Sequence, residues 1–171
     1  KILILRVHSG RFPEGQAVGL FTSEIYSQSG HFPDQWANRL WKAFYIPYSE
    51  GDPFYFAIMP RFVEESMRGR FNETTIIMMG CNGLDYPSMA EAFIQKGAKA
   101  YISWNGSVSA DHTDKATINL LKYSILEKQT IRQAIFDTMV ELGLDPAFNS
   151  MLGYYPSKVG DQTIENIIGE N

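Results

Sequence analysis

The chain of 171 residues predicts an α/β domain with a mostly parallel central sheet and helices on both faces. Three observations carry this expectation. Two near-continuous aliphatic runs, residues 2–7 and 74–79, have the length and composition of strands buried on both faces. From residue 54 onward, strand-like segments alternate with segments of helical period. Both aliphatic runs also end on groups able to do chemistry, His8-Ser9-Gly10 and Gly80-Cys81-Asn82-Gly83, as happens at the carboxyl ends of strands in such sheets.

Taken in order, Ile2-Leu3-Ile4-Leu5-Arg6-Val7 reads as the first strand, and residues 17–26 as a strand or short hairpin at a sheet edge. Residues 27–52, rich in aromatics, Gly, Pro and Ser, suggest only a short helix within 34–44. A strand is expected over 54–59, then a helix started by Pro60, with Phe62, Val63 and Met67 at helical spacing and Gly69 as its stop. Residues 74–79 form the second buried strand. Ser88 with Glu91 marks a helix start, Met89, Ala92 and Phe93 its inner stripe, and Gly97 its end. Residues 98–104 return as a strand. Asp111 or Thr113 caps the next helix, which carries Ala116, Leu120, Leu121 and Ile125. Thr130 and Gln133 make a capping box for a last helix closed by Gly143. A final short strand and surface chain are expected after Tyr155, so residues 1–156 form the domain and residues 157–171 a surface tail.

The totals exclude several classes. Fifteen Lys and Arg against 19 Asp and Glu give a net charge of −4 with no basic run, so a nucleic-acid partner is not expected. No apolar stretch reaches the roughly 20 residues of a membrane helix. Cys81 is the only cysteine, so no internal disulfide forms. No glycine-rich phosphate loop and no close-spaced His/Cys pair is present, and neither a cofactor nor a metal is expected, although His31 or His112 could join Cys81 or His8 as ligands.

Cys81 has two readings. A thiol is nucleophilic as thiolate, which a nearby imidazolium or helix N-terminus promotes, and the helix at Ser88 follows closely; alternatively it is a small buried hydrophobe. His8 is a general acid-base partner if the two aliphatic strands are neighbours, or a strand-end histidine satisfied by a backbone carbonyl. Gly80 and Gly83 suit a tight turn that presents the thiol and exposes N–H groups. A serine nucleophile at Ser9 lacks the Gly-x-Ser-x-Gly elbow. Asp85, Asp111 and Asp114 read first as helix caps and solvated charges.

Residues 2–7 followed by His8-Ser9-Gly10, and residues 74–79 followed by Gly80-Cys81, resemble the caspase-like cysteine peptidases of clan CD, whose mark is an apolar strand ending in His-Gly and a later one ending in a small residue followed by Cys. The stretch from Met89 through Gly97-Ala98 to Trp104, Val108 and the helix after it is similar to their CHAT branch. The resemblance spans roughly residues 1–136. It departs at Ser9, where the family has glycine directly after histidine, and residues 27–52 have no counterpart. The family's preceding strand and helix are absent, and the chain starts at Lys1 inside an apolar run, which points to an upstream segment.

The resemblance implies a three-layer caspase-like fold in which Cys81 attacks a peptide carbonyl and His8 protonates the leaving amine. Backbone N–H groups of Ser9 or Gly10 and of Cys81 would hold the oxyanion. Trp104, Asp111 and Asp85 would line the pocket for the residue before the cut, a basic one if Asp111 faces it. The expected activity is cysteine endopeptidase action on protein or peptide substrates. Two alternatives stand beside it: a catalytically inactive caspase-like module that binds a protein partner, and a small-ligand domain using the same strand ends. Oligomeric state is open, and the location implied is cytoplasmic or tethered outside the membrane through the upstream segment.

Overall fold

The computed structural model describes residues 1–169. The chain runs through β1 (Ile2–Leu5), β2 (Ser9–Phe12), β3 (Ala17–Ile25), α1 (Phe32–Trp36), β4 (Leu40–Ala43), β5 (Tyr55–Ile58), β6 (Thr75–Met78) and α2 (Ser88–Gln95). It continues with β7 (Ala100–Trp104), α3 (Ala110–Leu121), α4 (Ile131–Leu142), β8 (Leu152–Tyr155) and α5 (Ile164–Gly169). One sheet has the order β1-β6-β7-β8, parallel throughout except for β8, which runs antiparallel to β7. This is the expected mixed α/β fold with a mostly parallel sheet.

Period-two alternation divides the side chains of β6 and β7 between two cores. Ile77, Met79, Ala100, Ile102 and Trp104 pack with Ala116 and Leu120 of α3 and Ile131, Ala134 and Ile135 of α4. Ile76, Met78 and Tyr101 pack with Met89, Ala92 and Phe93 of α2 and with Val18 and Leu20 of β3. Helices therefore cover both faces. Each fully buried aliphatic side chain contributes about 1.5–3 kcal/mol.

The expected helix ends hold with changes of detail. Gly97 closes α2 at φ +102°, a left-handed conformation that favours glycine. At the start of α4, Thr130 Oγ accepts from the Gln133 N–H at 3.3 Å, but the Gln133 side chain donates to Asp137 instead of returning to Thr130. Only half of the capping box forms. The N-cap of α3 is Ser109, ahead of both Asp111 and Thr113.

Other expectations are corrected. Beside the single expected sheet stands a second, antiparallel one of order β2-β3-β5-β4, and β3 lies inside it rather than at a sheet edge. Within residues 27–52, α1 is shorter than expected, because Asn38 adopts φ +56° and the chain then straightens into β4 against β5. β1 is the outer strand of its sheet and only partly buried, with Ile4 43% exposed, since β6 and β7 occupy the interior. The helix after Pro60 is brief, a π-helical turn at Phe62–Ser66. The last strand precedes Pro156.

Residues 157–169 are not surface chain: Val159, Ile164 and Ile167 are buried in the core formed with α3 and α4, the last two spaced one helical turn apart. Residues 170 and 171 of the expected tail lie outside the described residues. No helix among the described residues is long and apolar enough to cross a membrane.

Candidate functional site

The site begins with the register of two strands. Ile2 faces Thr75 and Leu5 faces Met78, an offset of 73 residues that, carried forward, sets His8 opposite Cys81. Extended past the strand ends in the same way, alternation would put both on one side of the sheet. Ile4 pairs with Ile77, and Arg6 reaches Asp114 of α3 at 2.7 Å on that side. The strand ends stay in contact past the ladder: the Met79 N–H donates to the Leu5 carbonyl at 2.7 Å, and Ser9 Oγ donates to the Cys81 carbonyl at 2.6 Å. His8 is exposed, its ring edge-on to Tyr45 with centroids 5.0 Å apart. Its carbonyl accepts from the Phe21 N–H at 2.8 Å, where the chain turns into the second sheet.

Gly80 and Gly83 serve the site through space rather than through conformation. A Cβ on Gly80 would collide with the Val7 carbonyl and Ser9 Oγ, and one on Gly83 with Ser103 Oγ and the Met78 methyl. The left-handed residue of the turn is Asn82, at φ +60°. Its N–H donates to the Gly106 carbonyl at 2.7 Å, and that of Leu84 donates to the Trp104 carbonyl at 2.9 Å. The turn that presents Cys81 is thereby sewn onto the loop after β7.

That same loop holds the thiol. The Val108 N–H donates to Cys81 Sγ at 3.4 Å, and Sγ lies 3.7 Å from the Val108 carbonyl oxygen. The helix whose start lies nearest in these contacts is α3, not α2 as its closeness in sequence suggested. An N–H aimed at sulfur is the donor that negative sulfur needs.

Behind the loop lies a residue that sequence reasoning missed. Asp145 is fully buried and accepts from the Ser109 N–H at 2.8 Å, Ser109 Oγ at 3.3 Å, and the Ala147 and Phe148 N–H groups at 2.9 Å each. Burial pushes its carboxyl pKa up. The hydrogen bonds from Ser109, Ala147 and Phe148 outweigh that and hold it below its ordinary value. The only cue in the sequence is Asp-Pro after a helix-ending glycine, which reads as a turn.

The remaining predicted residues divide. Facing pairs Ser9–Leu20 and Gly10–Gly19, with the bond from Phe21 to His8, set the ladder alternation. That alternation gives the Gly10 N–H to Gly19 and leaves the Ser9 N–H outside the ladder. Ser9, not Gly10, is thus the available donor. Trp104 is fully buried, with its Nε1 donating to Thr113 Oγ at 2.9 Å, so it offers no surface to a substrate. Asp111 is exposed on the first turn of α3 and pairs with Lys115 at 2.8 Å, while Asp85 lies 3.5 Å from Arg11.

His31 bonds Glu24 at 2.9 Å, and His112 is buried against Trp104 with its Nε2 unpartnered. Among the described residues, no group of three or more His, Cys, Asp or Glu is placed to hold a metal ion. Two clefts open toward the opposite ends of the strands, one beside Lys99, Lys158 and Gln162, the other beside Ile2, Ser124 and Ile164; neither contains His8 or Cys81.

No protein-family model, no curated protein and no solved structure matches the chain.

Proposed function

We propose that this chain is a caspase-like cysteine peptidase domain of the CHAT type, cleaving peptide bonds with His8 and Cys81. The observation that carries the reading is the register of the β1–β6 pair: its offset of 73 residues, extended past both strand ends, would set His8 opposite Cys81, and the Ser9–Cys81 bond ties the two segments. Support also comes from the cores on both faces of the parallel sheet, which suit a three-layer arrangement.

In this mechanism the Cys81 sulfur attacks the substrate carbonyl and forms a thioester as the amine leaves. His8 supplies the proton that the departing amine takes. Water then attacks the thioester, releasing the acid and regenerating the thiol. The Ser9 N–H, outside the ladder, is the donor for the developing oxyanion, a contribution of about 3 kcal/mol in such sites. With Asp111 paired to Lys115 and Asp85 to Arg11, a basic residue before the cut would have to compete with these existing partners.

One pair of observations favours a second reading, a non-catalytic module that binds a protein partner. The Cys81 thiol bonds to Val108 and the His8 ring rests on Tyr45, so neither group bonds the other.

The test is covalent labelling by peptidyl acyloxymethyl ketones with varied residues before the warhead, read by intact mass in the wild type, Cys81→Ala and His8→Ala. The peptidase reading requires peptide-dependent labelling of Cys81 that collapses in His8→Ala. Labelling no faster than by a plain alkylating agent, and equal in His8→Ala, would leave the binding module.

A further inference from the structure

We infer that Asp145 is a positioning residue for Cys81, acting on the thiol through Ser109 and Val108. The inference rests on the reading of Cys81 as the reacting group, and it adds a residue from the opposite end of the chain to that site.

One hydrogen-bonded path joins Asp145 to the thiol. The loop of residues 105–109 carries the Val108 N–H that points at Cys81 Sγ, and this loop is clamped on its far side by the strap of residues 145–151. Asp145 takes the Ser109 N–H and hydroxyl. Ser150 Oγ donates to the Ser107 carbonyl at 2.6 Å, and Asn105 and Met151 exchange bonds at 3.1 and 2.9 Å. The strap is closed on itself, with the Asp145 N–H donating to the Ser150 carbonyl and the Asn149 N–H to that of Asp145. Val108 is the residue immediately before Ser109, so the direction of its N–H depends on where Ser109 is held. A fully buried carboxylate with four donors holds it more firmly than a neutral partner would.

Charge and position predict opposite signs, which makes the idea testable. If the carboxylate acted on Cys81 only through its charge, removing it would favour the thiolate and speed alkylation. If it acts by holding the loop, removing it loosens the N–H donor and slows alkylation.

The experiment measures iodoacetamide alkylation of Cys81 across pH in the whole chain, for the wild type, Asp145→Asn, Ser109→Pro and His8→Ala. Asp145→Asn keeps one oxygen for Ala147 and Phe148 but turns an amide NH₂ toward the Ser109 N–H. Ser109→Pro deletes that N–H from the other side at a position whose φ of −71° suits proline, so the test does not depend on one variant folding. Each variant is checked by circular dichroism, and exchange of the Val108 amide is followed by NMR in the folded ones.

Both variants are expected to slow alkylation at neutral pH by about tenfold, the scale of one hydrogen bond to a charged group, and to speed exchange of the Val108 amide. An unchanged or faster alkylation in folded Asp145→Asn or Ser109→Pro overturns the inference. Slowing in these variants with none in His8→Ala upholds Asp145 and sinks the dyad; slowing in His8→Ala alone does the reverse.

Discussion

Gly80→Ala should damage both the fold and the thiol's environment, because the space for a Cβ is occupied by backbone. Gly80 has no left-handed φ to defend, so strain of conformation is not the issue. The new methyl would meet the Val7 carbonyl, Ser9 Oγ and, at 3.0 Å, Met78 Sδ. Ser9 can rotate and Met78 can bend, but the Val7 carbonyl moves only with β1. Forcing that shift belongs to the overpacking range of 1–3 kcal/mol, and about 2 kcal/mol corresponds to a fall in Tm of about 4–8 °C for a domain of this size. The strand end that moves carries His8, and the hydroxyl that rotates is the one bonded to the Cys81 carbonyl. Differential scanning calorimetry and the pH dependence of Cys81 alkylation read the two effects. Gly69→Ala is the control: nothing lies within 4 Å of its Cβ, so it should be neutral or slightly stabilising. A Gly80→Ala protein with wild-type Tm and wild-type alkylation would refute the close approach on which the whole site argument depends.

Further perturbations separate structural from chemical roles. Ser9→Ala removes the bond to the Cys81 carbonyl and should cost about 1 kcal/mol by urea denaturation, and Ser9→Gly a little more. Trp104→Phe should lower stability by about 1–2 kcal/mol, through lost volume and the lost bond to Thr113 Oγ, while leaving the alkylation rate of Cys81 unchanged; a reversed pattern would return Trp104 to the substrate pocket. Ending the chain at Pro156 strips Val159, Ile164 and Ile167 from the core, a loss of roughly 5 kcal/mol, and should leave a protein without a cooperative thermal transition. Asp145 has its carboxyl pKa lowered in the fold, so its contribution is complete above the unfolded value of about 3.9 and disappears as pH falls through the folded value. Asp145→Asn should therefore be less stable than the wild type at pH 7, with the two urea midpoints converging as pH falls through the lowered folded value.

The legible part of this fold is the part buried on two sides. Thr75–Met78 and Ala100–Trp104 are fully buried and, apart from Thr75 and Ser103, hydrophobic, because each face meets a different core, and no partial burial blurs the pattern. The helices flanking them announce themselves through Gly97, Thr130 and Gly143, whose roles are local. The second sheet escapes the same reading because its four strands average two environments. In β3, Val18 and Leu20 enter the core while Phe21 joins Phe12 and Tyr45 in an outer aromatic layer, so hydrophobic residues fall on both faces of a half-exposed strand. Period-two contrast is lost there, and Gly, Pro and aromatic residues read as loop. Of the site, His8 and Cys81 were visible as strand ends, whereas Asp145 was not: its bond to Ser109 spans 36 residues, and no spacing rule encodes it.

The aromatic layer bears on how the dyad would work. His8 stands where the parallel sheet gives way to the antiparallel one, and Tyr45, which its ring contacts, comes from just beyond β4 on the far side of the second sheet. Tyr45 in turn packs on Phe21 and Tyr55, with ring centroids 5.4 and 5.2 Å away, so the imidazole is braced by a layer anchored in three strands. A proton donor to a leaving amine must keep a steady ring orientation while remaining wet enough to exchange its proton, and, on the proposed reading, an exposed histidine leaning on an aromatic edge would serve both needs. The brace is also what the binding-module reading would use, since it turns the ring toward Tyr45. Tyr45→Ala separates these uses. If the aromatic edge holds the imidazole for proton transfer, the variant should stay folded but lose peptide-dependent labelling of Cys81, with Tm lowered by about 4–8 °C for a loss of about 2 kcal/mol because the contacts to Phe21 and Tyr55 go with the one to His8. Labelling that rises when Tyr45 is removed would mean that the contact restrains His8 from the thiol, and the resting geometry would then be that of a silenced dyad.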